Sequence, residues 1–311
     1  MKIFNSIQEF SCPDNTIVTL GTFDGVHKGH KSILEKLITS SKNTGYQSVV
    51  LTFFPHPRMV LQQNTDIKLL NTMAEKAHLL EQYGIDNLII HPFDHSFSRL
   101  TAEEFVKDIL VDRLNLNKII IGHDHRFGRN RTATIEDLIV FGEEYGFEVE
   151  QISAMEINEV SVSSTKIRNA LNDGHLETAN RFLGYPYFIT GTVIKGKQLG
   201  RTINFPTANI LIKENYKLIP ANGVYIVSAN IEEKTVYGMM NIGNNPTVGG
   251  VSQSIEVHFF DFDKELYDKE IRVNIHYKIR DEIKFPNLEA LKEQLWQDQK
   301  TSLEYINNKL L

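Results

Sequence analysis

The amino-acid sequence predicts an α/β domain, a parallel sheet with helices on both faces, followed by a small all-β domain and a C-terminal helix. Three observations carry this. Over the first 150 residues short β-branched runs alternate with helix-period segments, the pattern of a sheet whose crossovers are helical. After Gly184-Tyr185-Pro186 the apolar period becomes two, with Gly, Asn and Pro between runs, which reads as a barrel or a sandwich. From Leu288 the helical period returns, with Leu288, Leu291, Leu295 and Trp296 on one face. A length of 311 residues suits two domains, expected at 1–183 and 184–311.

The strands of the first part are expected at Thr16–Leu20, Ser48–Phe53, Asn87–Ile90, Lys118–Ile121 and Glu148–Ile152. The helices between them are Lys31–Ser41, Thr72–Tyr83, Ala102–Val111 and Ile135–Tyr145. Thr101-Ala102-Glu103-Glu104 fits a capping box, and Gly84 and Gly146 stand where helix-terminating glycines belong. A further helix starts at Ser163 or Ser164 and ends near Asp173, and Leu176–Leu183 forms another. Strands of the second part are Gly191–Lys195, Val224–Ile231, Val236–Ile242, Ser254–Phe260 and Ile271–Ile279, and the tail Leu288–Leu311 is helical.

Composition excludes several classes. Lys and Arg number 33 against 39 Asp and Glu, a net charge of −6, which argues against a partner such as nucleic acid gripped along its backbone. The single cysteine, Cys12, makes no internal disulfide or cysteine zinc cage and suits the reducing cytoplasm. No secretory leader is read in MKIFNSIQEF, and no apolar run reaches the ~20 residues that span a bilayer, so neither membrane nor export is expected.

Positive charge is instead gathered locally. The segment Gly21-Thr22-Phe23-Asp24-Gly25-Val26-His27-Lys28-Gly29-His30 follows the first strand and opens the first helix. A helix start carries free N–H groups and about half a positive charge, and the glycines let backbone approach an anion closely. His27 and His30, three apart, can face one phosphate group together. The same spacing could hold zinc, although no third ligand is signalled nearby, or belong to a plain surface loop.

Three more segments follow in order: Thr52-Phe53-Phe54-Pro55-His56-Pro57, Gly122-His123-Asp124-His125-Arg126-Phe127-Gly128 and Val162-Ser163-Ser164-Thr165-Lys166-Ile167-Arg168. Together the four resemble the nucleotidylyltransferase motifs of the bacterial FAD synthetase family. The resemblance implies a Rossmann-like domain in which Gly21, Phe23, Asp24, Gly25, Gly29, Ser164, Thr165 and Arg168 bind ATP. Pro55, His56, Pro57, Asp124 and Arg126 would bind flavin, and His27 and His30 would be catalytic. His125 stands where the family usually has an aromatic residue. Lys28, Arg58, Arg126, Arg129, Arg131, Lys166 and Arg168 concentrate cations along these motifs, while His78, His91 and His95 lie outside them and are expected to be structural.

In the second part, Gly196-Lys197-Gln198-Leu199-Gly200-Arg201-Thr202-Ile203-Asn204-Phe205-Pro206-Thr207-Ala208-Asn209 is a Gly- and Lys-bearing loop ending in a Pro-Thr-Ala-Asn turn. Thr and Asn oxygens are hard donors of the kind Mg2+ accepts. In the 254–260 strand Ile255, Val257 and Phe259 share one face and Glu256 and His258 the other, which frees Glu256 for a cleft. With Pro220–Tyr225, Gly238–Thr247, the Ile255–Tyr267 stretch and Arg280–Phe285, this resembles the riboflavin kinase family, with Asn204 replacing its usual glycine. The resemblance implies a β-barrel, Mg2+ held by Thr207 and Asn209, and ATP bound by Gly196, Lys197, Gly200 and Arg201. It also implies flavin contact at Asn245 and Glu256 as general base. The whole reading is a bifunctional flavin-cofactor enzyme using ATP, riboflavin and FMN to make FMN and FAD. Its alternatives are a chain with one activity left, or a non-catalytic flavin or nucleotide sensor.

Overall fold

The computed structural model describes residues 1–62, 66–122, 126–153, 162–196, 199–247 and 250–311, with backbone alone at 199, 245–247 and 250–252. Two compact units, Met1–Ser163 and Ser164–Leu311, are taken in turn.

The first unit runs β1 (Lys2–Phe4), β2 (Thr16–Leu20), α1 (Lys28–Thr44), β3 (Gln47–Phe54), α2 (Pro57–Leu61), α3 (Met73–Gln82), β4 (Asn87–Pro92), α4 (Ala102–Glu104), β5 (Leu116–Gly122), α5 (Ile135–Tyr145) and β6 (Glu148–Ile152). The six strands pair in parallel in the order β1-β4-β3-β2-β5-β6. The chain winds one way from β2 through β3 and β4, then returns to lay β5 on the other side of β2. The switch point therefore lies at the C-terminal ends of β2 and β5, where open α/β sheets take their ligands. Val18, Val49, Leu51, Ile89 and Ile119 are fully buried in the main core of this unit.

Local signals act as expected. Thr101 and Glu104 close a capping box, as do Thr72 and Glu75, and Gly84 and Gly146 take left-handed φ of 80° and 79°. α1 starts earlier than expected because the glycine-rich turn feeds straight into it at Lys28. The helix expected over Ala102–Val111 is α-helical only to Glu104 and then widens to a π-helix over Phe105–Val111. The buried residues Phe105, Val106, Leu110 and Leu114 recur at steps of four and five, and the wider turn brings them to one side.

The second unit contains α6 (Ser164–Asn172), α7 (Leu176–Leu183), β7 (Tyr187–Ile194), α8 (Leu199–Thr202), β8 (Ala208–Leu211), β9 (Gly223–Ile231), β10 (Lys234–Thr247), β11 (Gly250–Phe259), β12 (Glu270–Arg280) and α9 (Leu288–Lys309). The strands close a barrel in the order β10-β11-β8-β7-β12-β9, so of barrel and sandwich the barrel is the architecture. The compact units divide at Ser163/Ser164, twenty residues before the expected boundary at Leu183/Gly184. Helices α6 and α7 are tied into the barrel unit. The Ala221 N–H donates to the Leu171 carbonyl at 3.0 Å, and the Asn180 amide bridges the Ile275 carbonyl and the Tyr187 N–H at 3.0 and 2.7 Å.

The barrel interior is filled, with Val227, Met240, Val257, Val273 and Ile275 fully buried. On the outer wall Ile203, Phe205, Val224, Ile226, Met239 and Phe260 form a second core with Ile306 of α9. Arg280 at the end of β12 grips Asp298 of α9 through its Nε and Nη2, at 3.0, 3.1 and 2.7 Å. The terminal helix and the 199–207 loop thus roof the wall that carries β10 and β11.

Candidate active sites

The turn leaving β2 at the switch point is held in a costly conformation. Phe23 and Val26 have φ of 45° and 36°, the latter severe for a β-branched residue, and Gly25 takes 86°. Buried contacts hold it there. Asp24, 0% exposed, accepts the Leu70 N–H at 2.9 Å, and the Thr22 carbonyl accepts from Lys76 Nζ at 2.6 Å and Thr52 Oγ1 at 3.3 Å. Strain kept in place by surrounding contacts is a mark of a functional turn.

His27 is the residue preceding α1 and His30 lies one turn on. Their rings stack 3.7 Å apart at 15°, and His30 also packs 5.0 Å from Phe23. Burial, then the neighbouring His27 and Lys76, hold the His30 imidazole well below its ordinary pKa, so it is neutral at pH 7. Its Nδ1 is buried with no hydrogen-bond partner in the protein. A stacked pair of imidazoles at a helix start suits an anion better than a metal, since among the described residues no cluster of three or more His, Cys, Asp or Glu could hold one.

The other expected residues of this half separate into three groups. His56 caps α2, its Nδ1 accepting the Arg58 N–H at 3.1 Å, with Pro57 favoured at the first helical position. Pro55 and Arg126 are exposed; Asp124, with His123 and His125, lies outside the described residues. Ser164, Thr165 and Arg168 belong to the second unit, at the start of α6, where Arg168 Nη1 reaches Thr165 Oγ1 at 3.5 Å. His91 is structural as expected, its Nδ1 accepting the Ile7 N–H at 3.3 Å. A series of rings, Phe53, Phe97, Phe105 and Phe127, runs from the end of β3 to the Arg126-Phe127-Gly128 loop at centroid spacings of 5.4, 6.1 and 6.1 Å, the middle pair edge-on and the outer two tilted.

In the barrel unit Glu256 pairs across β11 with Asn209 of β8 on one side and Asn241 of β10 on the other. Paired residues point to the same face. Thr207 Oγ1 donates to Glu256 Oε2 at 3.2 Å, so hydroxyl and carboxylate meet on the face that also carries Asn209 and Asn241. That donor set fits Mg2+, which binds through few protein oxygens and keeps waters or substrate phosphates for the rest. Ile255, Val257 and Phe259 are buried on the opposite face, as the alternation predicts.

The loop before Thr207 is closely fitted. A Cβ on Gly200 would stand 2.1 Å from the Phe205 carbonyl, and one on Gly196 2.3 Å from the Asn209 amide. Asn204, in the place of the family glycine, has φ of 65°, the left-handed region that asparagine tolerates better than most residues. Arg201 is exposed at the rim beside Glu265 and Tyr267, at 3.7 and 3.4 Å. Lys197 lies outside the described residues; Asn245 is placed on β10 opposite Ser252 by backbone alone. His258, not assigned to the site, donates from Nδ1 to the Pro206 carbonyl at 2.8 Å, so that nitrogen carries a proton.

Two residues were passed over in the sequence reading. Lys76 stands on the buried face of α3 with Ala77 and Leu80, a lysine where the periodicity asks for an apolar side chain. Asn71, 0% exposed between the Asp24-bound Leu70 and the cap of α3, has neither side-chain amide atom hydrogen-bonded in the protein.

A strained turn at a sheet switch point, followed by a filled barrel with hydroxyl and carboxylate oxygens on its outer wall, fits the class of nucleotide-using transferases. Family comparison makes this particular. Residues 9–166 match the FAD synthetase family and residues 183–306 the riboflavin kinase family. The chain is 36% identical over 98% of both lengths to a bifunctional riboflavin kinase/FMN adenylyltransferase of Escherichia coli K12. It is 38% identical to one of Listeria monocytogenes, over 94% of this chain and 93% of that one. A solved structure from Streptococcus pneumoniae titled macrolide-efflux protein superposes with TM-score 0.88 at 31% identity, over 96% of this chain and 97% of that one. Among the described residues no helix is long and apolar enough to cross a membrane. The chain belongs to the bifunctional riboflavin kinase/FMN adenylyltransferase family.

Proposed function

We propose that the barrel unit phosphorylates riboflavin at the wall bearing Thr207, Asn209 and Glu256, and that the first unit then adenylylates FMN at the His27/His30 turn. The observation that supports this assignment is the Thr207–Glu256 contact, in which the carboxylate accepts a hydrogen bond from the hydroxyl beside it. The 5′-hydroxyl oxygen of riboflavin attacks the γ-phosphorus of ATP, the bond to the β,γ-bridging oxygen breaks, and ADP leaves. Glu256 accepts the hydroxyl proton. Thr207 and Asn209 hold Mg2+, which when bound neutralises phosphate charge. Gly196 and Gly200 let the loop backbone lie against the phosphates, with Lys197 and Arg201 supplying cations and Asn245 contacting flavin.

In the first unit a phosphate oxygen of FMN attacks the α-phosphorus of a second ATP, the bond to the α,β-bridging oxygen breaks, and pyrophosphate leaves. Most of the barrier is met by positioning and by charge stabilisation. His27 and His30 donate to the phosphates from the head of α1, with Gly21, Phe23, Gly25 and Gly29 shaping the turn. Asp24, turned inward onto Leu70, serves ATP by fixing that turn. Ser164, Thr165 and Arg168 bind the leaving phosphates, and Pro55, His56, Pro57, Asp124 and Arg126 form the flavin side.

The test is to incubate the protein with riboflavin and Mg-ATP and separate the flavins. FMN and FAD together support both assignments. FMN alone means that the first unit is idle, and neither product means that the chain is a sensor.

A further inference from the structure

Lys76 is a buried cation that the account above leaves unused. It is 2% exposed, and its Nζ donates to the Thr22 carbonyl at 2.6 Å, inside the strained Gly21–Gly25 turn. An ammonium group is costly to bury, and the ordinary remedy is a close carboxylate partner. Here the hydrogen-bond acceptor is a backbone carbonyl, while the Asp24 carboxylate acts on the lysine from the same turn and spends Oδ1 on the Leu70 N–H. The cation is therefore fixed directly behind the loop that meets phosphate.

The groups facing it come from each neighbouring element. Asp24 lies on the turn, His27 and His30 at the head of α1, neutral Thr52 on β3, and Glu75 beside it on α3 with Oε2 committed to the Thr72 N–H. Asp24 and Glu75 are the carboxyl-bearing residues among these.

Resting on the assignment of this turn to adenylyl transfer, we propose that Lys76 is a positioning residue for that reaction. It clamps the Thr22 carbonyl so that the turn keeps its anion-binding shape, and it places a fixed positive charge behind the departing pyrophosphate. The two contributions separate by pH. Burial lowers the lysine pKa to about 8, and a neutral amine still donates to the carbonyl, so raising the pH removes the charge and keeps the clamp.

The experiment measures FAD formation from supplied FMN and Mg-ATP between pH 6 and 9 for wild type, Lys76→Met, Lys76→Arg and His30→Ala, with riboflavin phosphorylation followed on the same samples. Lys76→Met is expected to lower kcat for FAD formation by ~10²-fold or more at pH 7, the size of one preorganised charge in a transition state. Riboflavin phosphorylation stays unchanged. Wild-type kcat falls as pH rises through about 8, whereas Lys76→Arg, which cannot lose its proton, shows no fall there. A Lys76→Met chain with wild-type kcat overturns the proposal. Identical profiles for wild type and Lys76→Arg also overturn it, and this comparison carries the test if the Met variant does not fold. If His30→Ala makes FAD normally, the assignment of the turn fails; if His30→Ala is inactive while Lys76→Met is fully active, only the role of Lys76 fails.

Discussion

Thr207, the residue before β8, and Glu256 on β11 are 49 positions apart, and their side chains meet at 3.2 Å. The register explains how. β8 pairs with β11 so that Glu256 stands opposite Asn209, which puts the end of the Pro-Thr-Ala-Asn turn beside the carboxylate. The proposed metal-binding pair and the proposed base are thus brought together by one strand pairing.

Replacing Glu256 by Gln keeps this packing and removes the base. Riboflavin phosphorylation is expected to fall ~10²–10⁴-fold while adenylylation of supplied FMN continues. Separate assays of the two products check it, and an unchanged phosphorylation rate would remove Glu256 from the role of base.

His30→Ala should show the reverse pattern. FMN accumulates from riboflavin and FAD formation is lost, because a donor at the head of α1 disappears together with its stack on His27. Chromatography of the flavins over time gives the answer.

The same histidine makes stability depend on pH. Its folded pKa is lowered by burial, so below the unfolded value of 6.5 the unfolded chain binds a proton that the folded one refuses. Stability is therefore lost as pH falls below 6.5, until the folded pKa is passed. Urea unfolding followed between pH 7.5 and 5 should show the wild type weakening more steeply than His30→Gln.

Asp298→Ala leaves Arg280 without its partner beneath α9. Breaking one side of a buried ion pair costs about 3–5 kcal/mol. The carboxylate is 1% exposed and also accepts from Gln294 Nε2 at 2.9 Å, so the upper part of that range is expected. Thermal unfolding measures the loss; a change inside experimental scatter would mean that the helix is held by its apolar contacts alone.

His258→Ala removes the hydrogen bond to the Pro206 carbonyl, one residue before Thr207. The expected signature is a raised KM for Mg-ATP in riboflavin phosphorylation with a smaller change in kcat. His258→Asn, which can still donate to the carbonyl, should recover part of it.

The fold class was legible because periodicity records it directly. Alternation of helix and strand implied the parallel sheet, and the Ile255/Val257/Phe259 face was already separated from Glu256 by simple alternation. Periodicity alone left barrel and sandwich open, because closure depends on β8, four residues long and read as a turn, and the family resemblance pointed to the barrel. The π-helical stretch 105–111 was also hidden, because Phe105, Val106 and Leu110 look apolar in either helix type. Lys76 was missed for a different reason. A lysine on a helix reads as solvated surface, and only the tertiary fold shows a carbonyl waiting for it. The compact units divide ahead of the strong local break at Gly184-Tyr185-Pro186 because the ties of Leu171 and Asn180 to the barrel are long-range, whereas the riboflavin kinase family match begins at 183.

A cylinder of hydrogen-bonded staves packed solid with side chains has no lumen for a substrate to enter. Exchange of nucleotide and flavin must then be carried by the covering loop and helix, while the staves stay shut. Amide hydrogens at Asn204 and Phe205 should trade with solvent far sooner than that of Val257, whose strand is laced to a neighbour on either side. Ligand that seals the cover should slow the first pair and leave the last untouched.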